Sequence, residues 1–273
     1  MEALNLTQLL IGTGIACLIA GFSYVTRALT IGGAATLVVM GIIIFGVGGW
    51  AFGVPILFFF ISSSLLSRLQ TTRKQQAVTA FDKTGARDYR QVLANGGIGT
   101  ISTILYIVTD WPGWYLVYLA AIGEACADTW ATEIGTLTKQ PPRHILNMKV
   151  VEPGRSGGVT LLGTSAALTG SLLTVSSGYV MLPGNPSLAI DIPVLIFCIC
   201  LGFAGSIVDS ILGASVQAQY VNPATGKLTE KPSTDGQTNE FVGGFKFIDN
   251  DVVNTLSTLL AAAITAILAH ILF

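Results

Sequence analysis

The residues best suited to chemistry in this chain are acids in places where acids are costly. Gly123-Glu124-Ala-Cys-Ala-Asp128-Thr129-Trp-Ala-Thr132-Glu133-Ile-Gly135 closes a long apolar stretch. Spaced four apart, Glu124, Asp128 and Thr132 share one face of a helix, and Glu133 sits about 100° further round. An acid at mid-membrane costs about 2.5–3.5 kcal/mol, so such residues call for a partner, a cation or water. Carboxylates beside a hydroxyl suit Mg²⁺, a hard ion that takes oxygen ligands. Salt bridges from these acids to Arg143 or Arg155 are the structural alternative.

A second stretch, Gly202-Phe-Ala-Gly205-Ser-Ile-Val-Asp209-Ser210-Ile-Leu-Gly213-Ala214-Ser215, repeats the acid-then-hydroxyl order of Asp128-Thr129 and hints at an internal duplication. In a third, Phe247-Ile-Asp249-Asn250-Asp251-Val-Val-Asn254, one Asp or Asn is enough to cap a helix, at about 1 kcal/mol. Asp251 and Asn254, three apart, are therefore candidates to complete a metal shell. Basic and glycine-rich segments stand beside these acids. Pro141-Pro142-Arg143-His144 and Lys149-Val-Val-Glu-Pro153-Gly154-Arg155-Ser156-Gly157-Gly158-Val-Thr160 lead into a helix start. Unpaired N–H groups there, with Arg155 and Ser156, make a phosphate cradle, although simple turn chemistry also accounts for the glycines. Arg87 and Arg90 precede Asn95-Gly96-Gly97 in an apolar run. Those arginines would otherwise anchor to anionic headgroups.

The elements that position these residues are membrane spans. Only 11% of the 273 residues are charged and the mean hydropathy is +0.67. A span needs about 20 mostly apolar residues. Candidates fall near 4–23, 29–48, 50–67, 92–109, 113–136, 157–181, 190–216 and 251–272. The fold expected is an all-α polytopic integral membrane protein of about eight (seven to nine) helices in one domain, residues 1–273. Threading eight spans puts all 14 Lys and Arg on one side, in Arg27 and in loops near 68–91, 137–156 and 217–249, which the positive-inside rule makes cytoplasmic. Val221 to Phe247, with Asn-Pro, Thr-Gly and Asp-Gly turns, reads as a polar hairpin or lid. The first span lacks a basic flank, so no cleaved signal peptide is expected.

Other classes fall away. A net charge of −1 argues against nucleic acid as partner. Cys17, Cys126, Cys198 and Cys200 lie in apolar stretches at spacings that fit neither zinc nor redox chemistry. Gly226-Lys227 lacks the flanking residues of a phosphate-binding P-loop. His144 and His270, the only histidines, exclude a histidine-rich metal site.

The acidic motifs, the Pro153-Gly154-Arg155-Ser156-Gly157-Gly158-Val-Thr160 loop and the Asn95 glycines together resemble the transmembrane protein 19 family, which includes plant and cyanobacterial phytyl-phosphate kinases. The resemblance runs from about Arg87 onward; the first three spans match only in hydropathy. It implies CTP-dependent phosphorylation of a prenyl monophosphate to the diphosphate, feeding tocopherol and phylloquinone synthesis from the inner or thylakoid membrane. On that view Glu124, Asp128 and Asp209 are catalytic. Together with Glu133, Asp251 and Asn254 they are the candidate ligands of one or two Mg²⁺ ions. Arg143, Lys149, Arg155, Ser156, Gly157 and Gly158 would hold the nucleotide phosphates, Arg87 or Arg90 the acceptor phosphate, with Asn95 close by. A transporter of an anionic substrate or a lipid cytidylyltransferase would use many of the same residues. A transporter site would sit nearer the midplane, and a cytidylyltransferase would release pyrophosphate.

Overall fold

The computed structural model describes residues 5–69, 86–181 and 191–272. Most of the expected basic loop 68–91, including Arg73, Lys74 and Lys83, lies outside the described residues, as does most of the loop after Leu182. Eight helices are found among the described residues, one for each apolar stretch: α1 (Leu6–Val25), α2 (Ile31–Gly41, continued as a π-helix over Ile42–Val47), α3 (Trp50–Ser67), α4 (Tyr89–Thr109), α5 (Gly113–Gly135), α6 (Leu161–Val180), α7 (Ile192–Ser215) and α8 (Asn250–Leu272).

Local chemistry sets most of these starts. Asn5, Thr30 and Thr160 cap α1, α2 and α6 through side-chain oxygens that accept from the third residue on. Asp88 and Gln91 form a reciprocal capping box on α4. Asp249 accepts from the Val252 amide at 3.1 Å and so caps α8. In the wider π turn that follows α2, Gln8 Nε2 reaches across from α1 to donate to the Phe45 carbonyl at 2.9 Å.

Five helices, α1, α3, α4, α7 and α8, are long and apolar enough to cross a membrane by length and composition. This is fewer than the eight spans expected from the sequence. Helix α2 with its π extension is apolar but shorter. Helix α5 carries Glu124, Asp128 and Glu133, and α6 is rich in hydroxyls and glycines. A helix enclosed by others need not present a continuous apolar surface. Helix α5 shows this best, since it packs against α3, α4, α6, α7 and α8, and every residue from Tyr115 to Ala127 is buried. Around it Phe52, Tyr115 and Tyr118 form an aromatic cluster, with the tyrosine hydroxyls donating to the carbonyls of Ala51 and Phe52.

Two glycines on α7 decide how closely it meets α5. A Cβ at Gly202 would lie 3.0 Å from the Gly123 carbonyl carbon and 2.5 Å from Ser171 Oγ; one at Gly205 would lie 2.4 Å from Glu124 Cγ. The missing side chains make the room that the Glu124 carboxylate occupies.

The all-α expectation needs one amendment, for short strands form in the loops. β1 (Arg143–His144) pairs with β2 (Gly158–Val159), so the loop before α6 is a closed hairpin. The expected polar lid is a three-stranded antiparallel sheet of β3 (Gln219–Val221), β4 (Leu228–Thr229) and β7 (Glu240–Gly243), in the order β4-β3-β7. It also carries a small hairpin, β5 (Ser233–Thr234) with β6 (Gln237–Thr238). Asp235 and Gly236 turn that hairpin at φ 50° and 80°, the backbone a tight two-residue turn requires.

Candidate functional site

A cavity of about 1050 Å³ opens at the end of the bundle where α3 finishes and α4 and α6 begin, lined there by Ser67, Arg68, Arg87 and Thr160. Its wall changes character. Asp128, Asp209 and Asn254 share its polar lining with Arg87, Arg90 and Arg155, whereas Met40, Phe45, Ile56 and Phe59 form an apolar arm from α2, its π extension and α3. The arm runs far along α1, from Thr26 to Gly12, about 21 Å at a 1.5 Å rise per residue.

Three acids from two helices, α5 and α7, meet in or beside this cavity. Asp128 and Asp209 face it, and Asp209 lies near enough to both Asp128 and Glu124 to feel their charge. Glu124, expected as a ligand, does not line it. It is 1% exposed, one turn deeper on α5, where Oε1 accepts from Ser257 Oγ at 2.8 Å and Oε2 from the Thr258 hydroxyl. Ser257 Oγ also lies 3.2 Å from Asp209 Oδ2, so one hydroxyl of α8 ties α5 to α7. Asn254, with its amide turned so that nitrogen donates, reaches Asp209 Oδ2 at 3.1 Å. Glu133 lines the cavity and accepts from Ser67 Oγ at 2.5 Å, while Arg87 donates to the same Ser67 Oγ at 3.1 Å.

Among the described residues no three His, Cys, Asp or Glu side chains converge on a point where one ion could be held by protein alone. The donor set that remains still fits Mg²⁺, which keeps its waters and binds one or two carboxylates with substrate phosphates. Asp128 and Asp209 answer that description. Asp251 fits less well: its carboxylate faces Arg90 Nε at 3.9 Å, and Arg90 also pairs with Asp249 at 2.9 Å. Salt bridges from the α5 acids to Arg143 or Arg155 were the structural alternative; the ion pairs found among the described residues instead join Arg90 to Asp249 and Asp251 of the α8 motif.

The basic residues divide. Arg87, Arg90, Arg155, Lys231 and Lys246 all line the cavity, as does Asn95, whose amide donates back to the Gln91 carbonyl at 2.8 Å. Arg143 and Lys149 do not. Both are exposed on the β1–β2 hairpin, and Arg143 donates to the Met148 carbonyl at 2.8 Å. Leu146, Met148 and Val150, more than half exposed, share that hairpin, a mixture suited to a headgroup surface. The cradle itself is more closed than expected. The Gly158 amide donates to the Arg155 carbonyl at 2.9 Å. At Gly157, φ is +73° and a Cβ would sit 2.4 Å from Ala214 Cβ, so this glycine seats the loop on α7.

These motifs have been met before. The model of an integral membrane protein family, DUF92, matches residues 14–262. The chain belongs to that family. Among its relatives, Protein PGR of Arabidopsis thaliana is 31% identical over the full length of both chains. An uncharacterised membrane protein of Methanocaldococcus jannaschii is 32% identical over 77% of this chain and 84% of its own. Protein VTE6, chloroplastic, also of Arabidopsis thaliana, is 22% identical over 92% of this chain and 68% of its own. No solved structure matches.

In this DUF92 protein several site residues carry no sequence mark of their own. Ser67 closes α3 after a run of serines. Ser257 and Thr258 follow Asn254 at helical spacing and so share its face, a signal that was available. Glu230, which receives the amide and hydroxyl of Ser156, and Gln217 were not legible at all. The exposed position of Arg143 and Lys149 carries a prediction for this DUF92 protein. Replacing either by alanine should change folding stability by no more than about 0.5 kcal/mol, the range typical of surface changes. A thermal melt in detergent checks it.

Proposed function

We propose that this protein transfers the terminal phosphoryl group of a nucleoside triphosphate, CTP in the first instance, to a prenyl monophosphate such as phytyl phosphate, giving the diphosphate. What carries the reading is a single cavity with carboxylates and arginines at one end and an apolar arm at the other. Such a wall suits a substrate that is anionic at its head and hydrocarbon along its tail. The motif resemblance to the family that includes phytyl-phosphate kinases, and membership of an integral membrane family, support it.

In this reading an oxygen of the prenyl monophosphate attacks the γ-phosphorus. The bond from that phosphorus to the β–γ bridging oxygen breaks, and the nucleoside diphosphate leaves. The acceptor is already an anion at neutral pH, so a strong general base is unnecessary. Asp128 and Asp209 would hold Mg²⁺, which when bound neutralises charge shared between the phosphates. Arg87 and Arg155 position the phosphates, and Glu124, through Ser257, holds the Asp209 carboxylate in place. Arg90 meets the acceptor phosphate only after leaving Asp249.

All eight helices are taken as spans of one membrane domain, with the cavity mouth at the cytoplasmic face. Arg68, Arg87, Arg90, Arg155, Lys231 and Lys246 at that mouth favour this orientation under the positive-inside rule.

The test is purified protein in detergent with phytyl or geranylgeranyl monophosphate, each nucleoside triphosphate and Mg²⁺, read by lipid mass spectrometry. A prenyl diphosphate together with nucleoside diphosphate is the expected product. A nucleotidyl lipid with pyrophosphate, or no lipid product with any nucleotide, overturns the reading.

A further inference from the structure

Glu230 lies in an unusual place for a carboxylate. It belongs to the lid, just past β4, and lines the cavity. Asp209 is close enough to feel its negative charge. What holds it there is a set of donors aimed at its two oxygens. Oε1 accepts from the Ser156 amide at 3.3 Å and the Ser156 hydroxyl at 2.5 Å, and Oε2 accepts from Gln217 Nε2 at 2.6 Å.

The donors are built in. Gly157, with positive φ, clamps the Ser156 loop onto Ala214 near the end of α7. Gln217 follows that helix and is only 2% exposed, overlaid by the lid strand: a Cβ at Gly244 would fall 2.1 Å from the Gln217 carbonyl oxygen. On the same wall Arg155 keeps its Nε buried with no hydrogen-bond partner. A backbone N–H, a hydroxyl, an amide and a guanidinium with an unpartnered Nε are groups that hold phosphate oxygens in proteins.

We propose that Ser156, Gln217 and Arg155 form an anion site for the terminal phosphates of a nucleoside triphosphate, and that Glu230 occupies it until the nucleotide displaces it. The identity of the ligand rests on the phosphoryl-transfer reading; the existence of the anion site does not. Displacement is favoured because a phosphate chain arriving with its counter-cation offers the Ser156, Gln217 and Arg155 donors more anionic oxygens than one carboxylate does. The lid would therefore open as nucleotide enters, and the empty cavity would keep the donors satisfied.

The rival role for Glu230 is that of one more ligand for that counter-cation, which predicts the opposite result. Inorganic tripolyphosphate and a non-hydrolysable nucleoside triphosphate are titrated calorimetrically into the full-length protein in detergent, with and without Mg²⁺. Glu230→Gln and Glu230→Ala should tighten binding of both probes on the order of tenfold, the scale of a charged hydrogen-bonded contact removed from competition. Adding Ser156→Ala or Gln217→Ala to Glu230→Ala should reverse the gain. Unchanged or weaker binding in the Glu230 variants overturns the proposal, as does a gain that survives the second substitution. Size-exclusion profiles and thermal melts establish that each variant is folded. If tripolyphosphate binding tightens as expected but no lipid is phosphorylated, the kinase reading falls and the anion site stands.

Discussion

Asp128→Asn or Asp209→Asn should remove the proposed phosphoryl transfer while leaving the protein folded. Each substitution keeps side-chain volume and a hydrogen-bonding oxygen but deletes the charge that faces the cavity. Metal-held charge stabilises phosphoryl transfer by several kcal/mol, and about 1.4 kcal/mol is a tenfold rate effect. A fall in kcat of about a hundredfold or more is therefore expected for either variant, accompanied by a higher Mg²⁺ requirement. Asp251→Asn should do much less, because that carboxylate is turned toward Arg90. The measurement is turnover across a Mg²⁺ titration, with a thermal melt in detergent as the control for folding. If Asp128→Asn and Asp209→Asn both retain near-normal turnover, neither residue holds the metal.

The second large effect concerns packing. Gly202→Ala should lower stability by about 1–3 kcal/mol, the usual range for overfilling a packed interior. Its new Cβ would press on the Gly123 carbonyl carbon at 3.0 Å and the Glu124 amide at 3.1 Å. Backbone cannot rotate away as a side chain can, so α5 and α7 must separate. Gly205→Ala should act on the site itself. Its Cβ would meet Glu124 Cγ at 2.4 Å, and Glu124 is pinned by Ser257 and Thr258. The displaced carboxylate would pull Ser257 from Asp209, and turnover should fall together with stability. Gly97 is the control, for no atom lies within 4 Å of a Cβ placed there. Gly97→Ala should leave the melting temperature unchanged or raise it slightly, since alanine is the better helix former by about 0.5–1 kcal/mol. Thermal melts of the three variants in one detergent decide the matter. Equal melting temperatures would mean that α5 and α7 are not held at this distance.

The glycines illustrate why parts of the site could be read in advance and parts could not. Gly96 and Gly97 look alike in sequence, yet a Cβ at Gly96 would strike Met40 Cε at 2.3 Å while one at Gly97 would meet nothing. Which of two adjacent glycines matters depends on what the facing helix brings, and that is not local information. The acids divide in the same way. Their helical spacing put Glu124 and Asp128 on one face; Glu124 meets α7 and α8, and Asp128 lies near Asp209 of α7. A single turn of depth then separates a residue in the cavity from one sealed beneath it. Asp249 takes the capping role that any Asp or Asn of its motif could have filled.

From the order of residues alone came eight apolar stretches, the clustering of bases in loops, the helical register of the acids and the motifs that mark the family. All of these depend on neighbours within a turn or two, or on composition over about 20 residues, which is why they are legible without coordinates. The three-dimensional arrangement alone decided that Glu124 answers to hydroxyls 133 and 134 positions away, that Ser156 is engaged by a lid carboxylate 74 positions on, and that Arg143 and Lys149 stay outside the cavity. Contacts of that kind depend on how closely helices approach and on where a lid comes to rest. Those distances are set by packing between segments far apart in the chain, which no local pattern encodes.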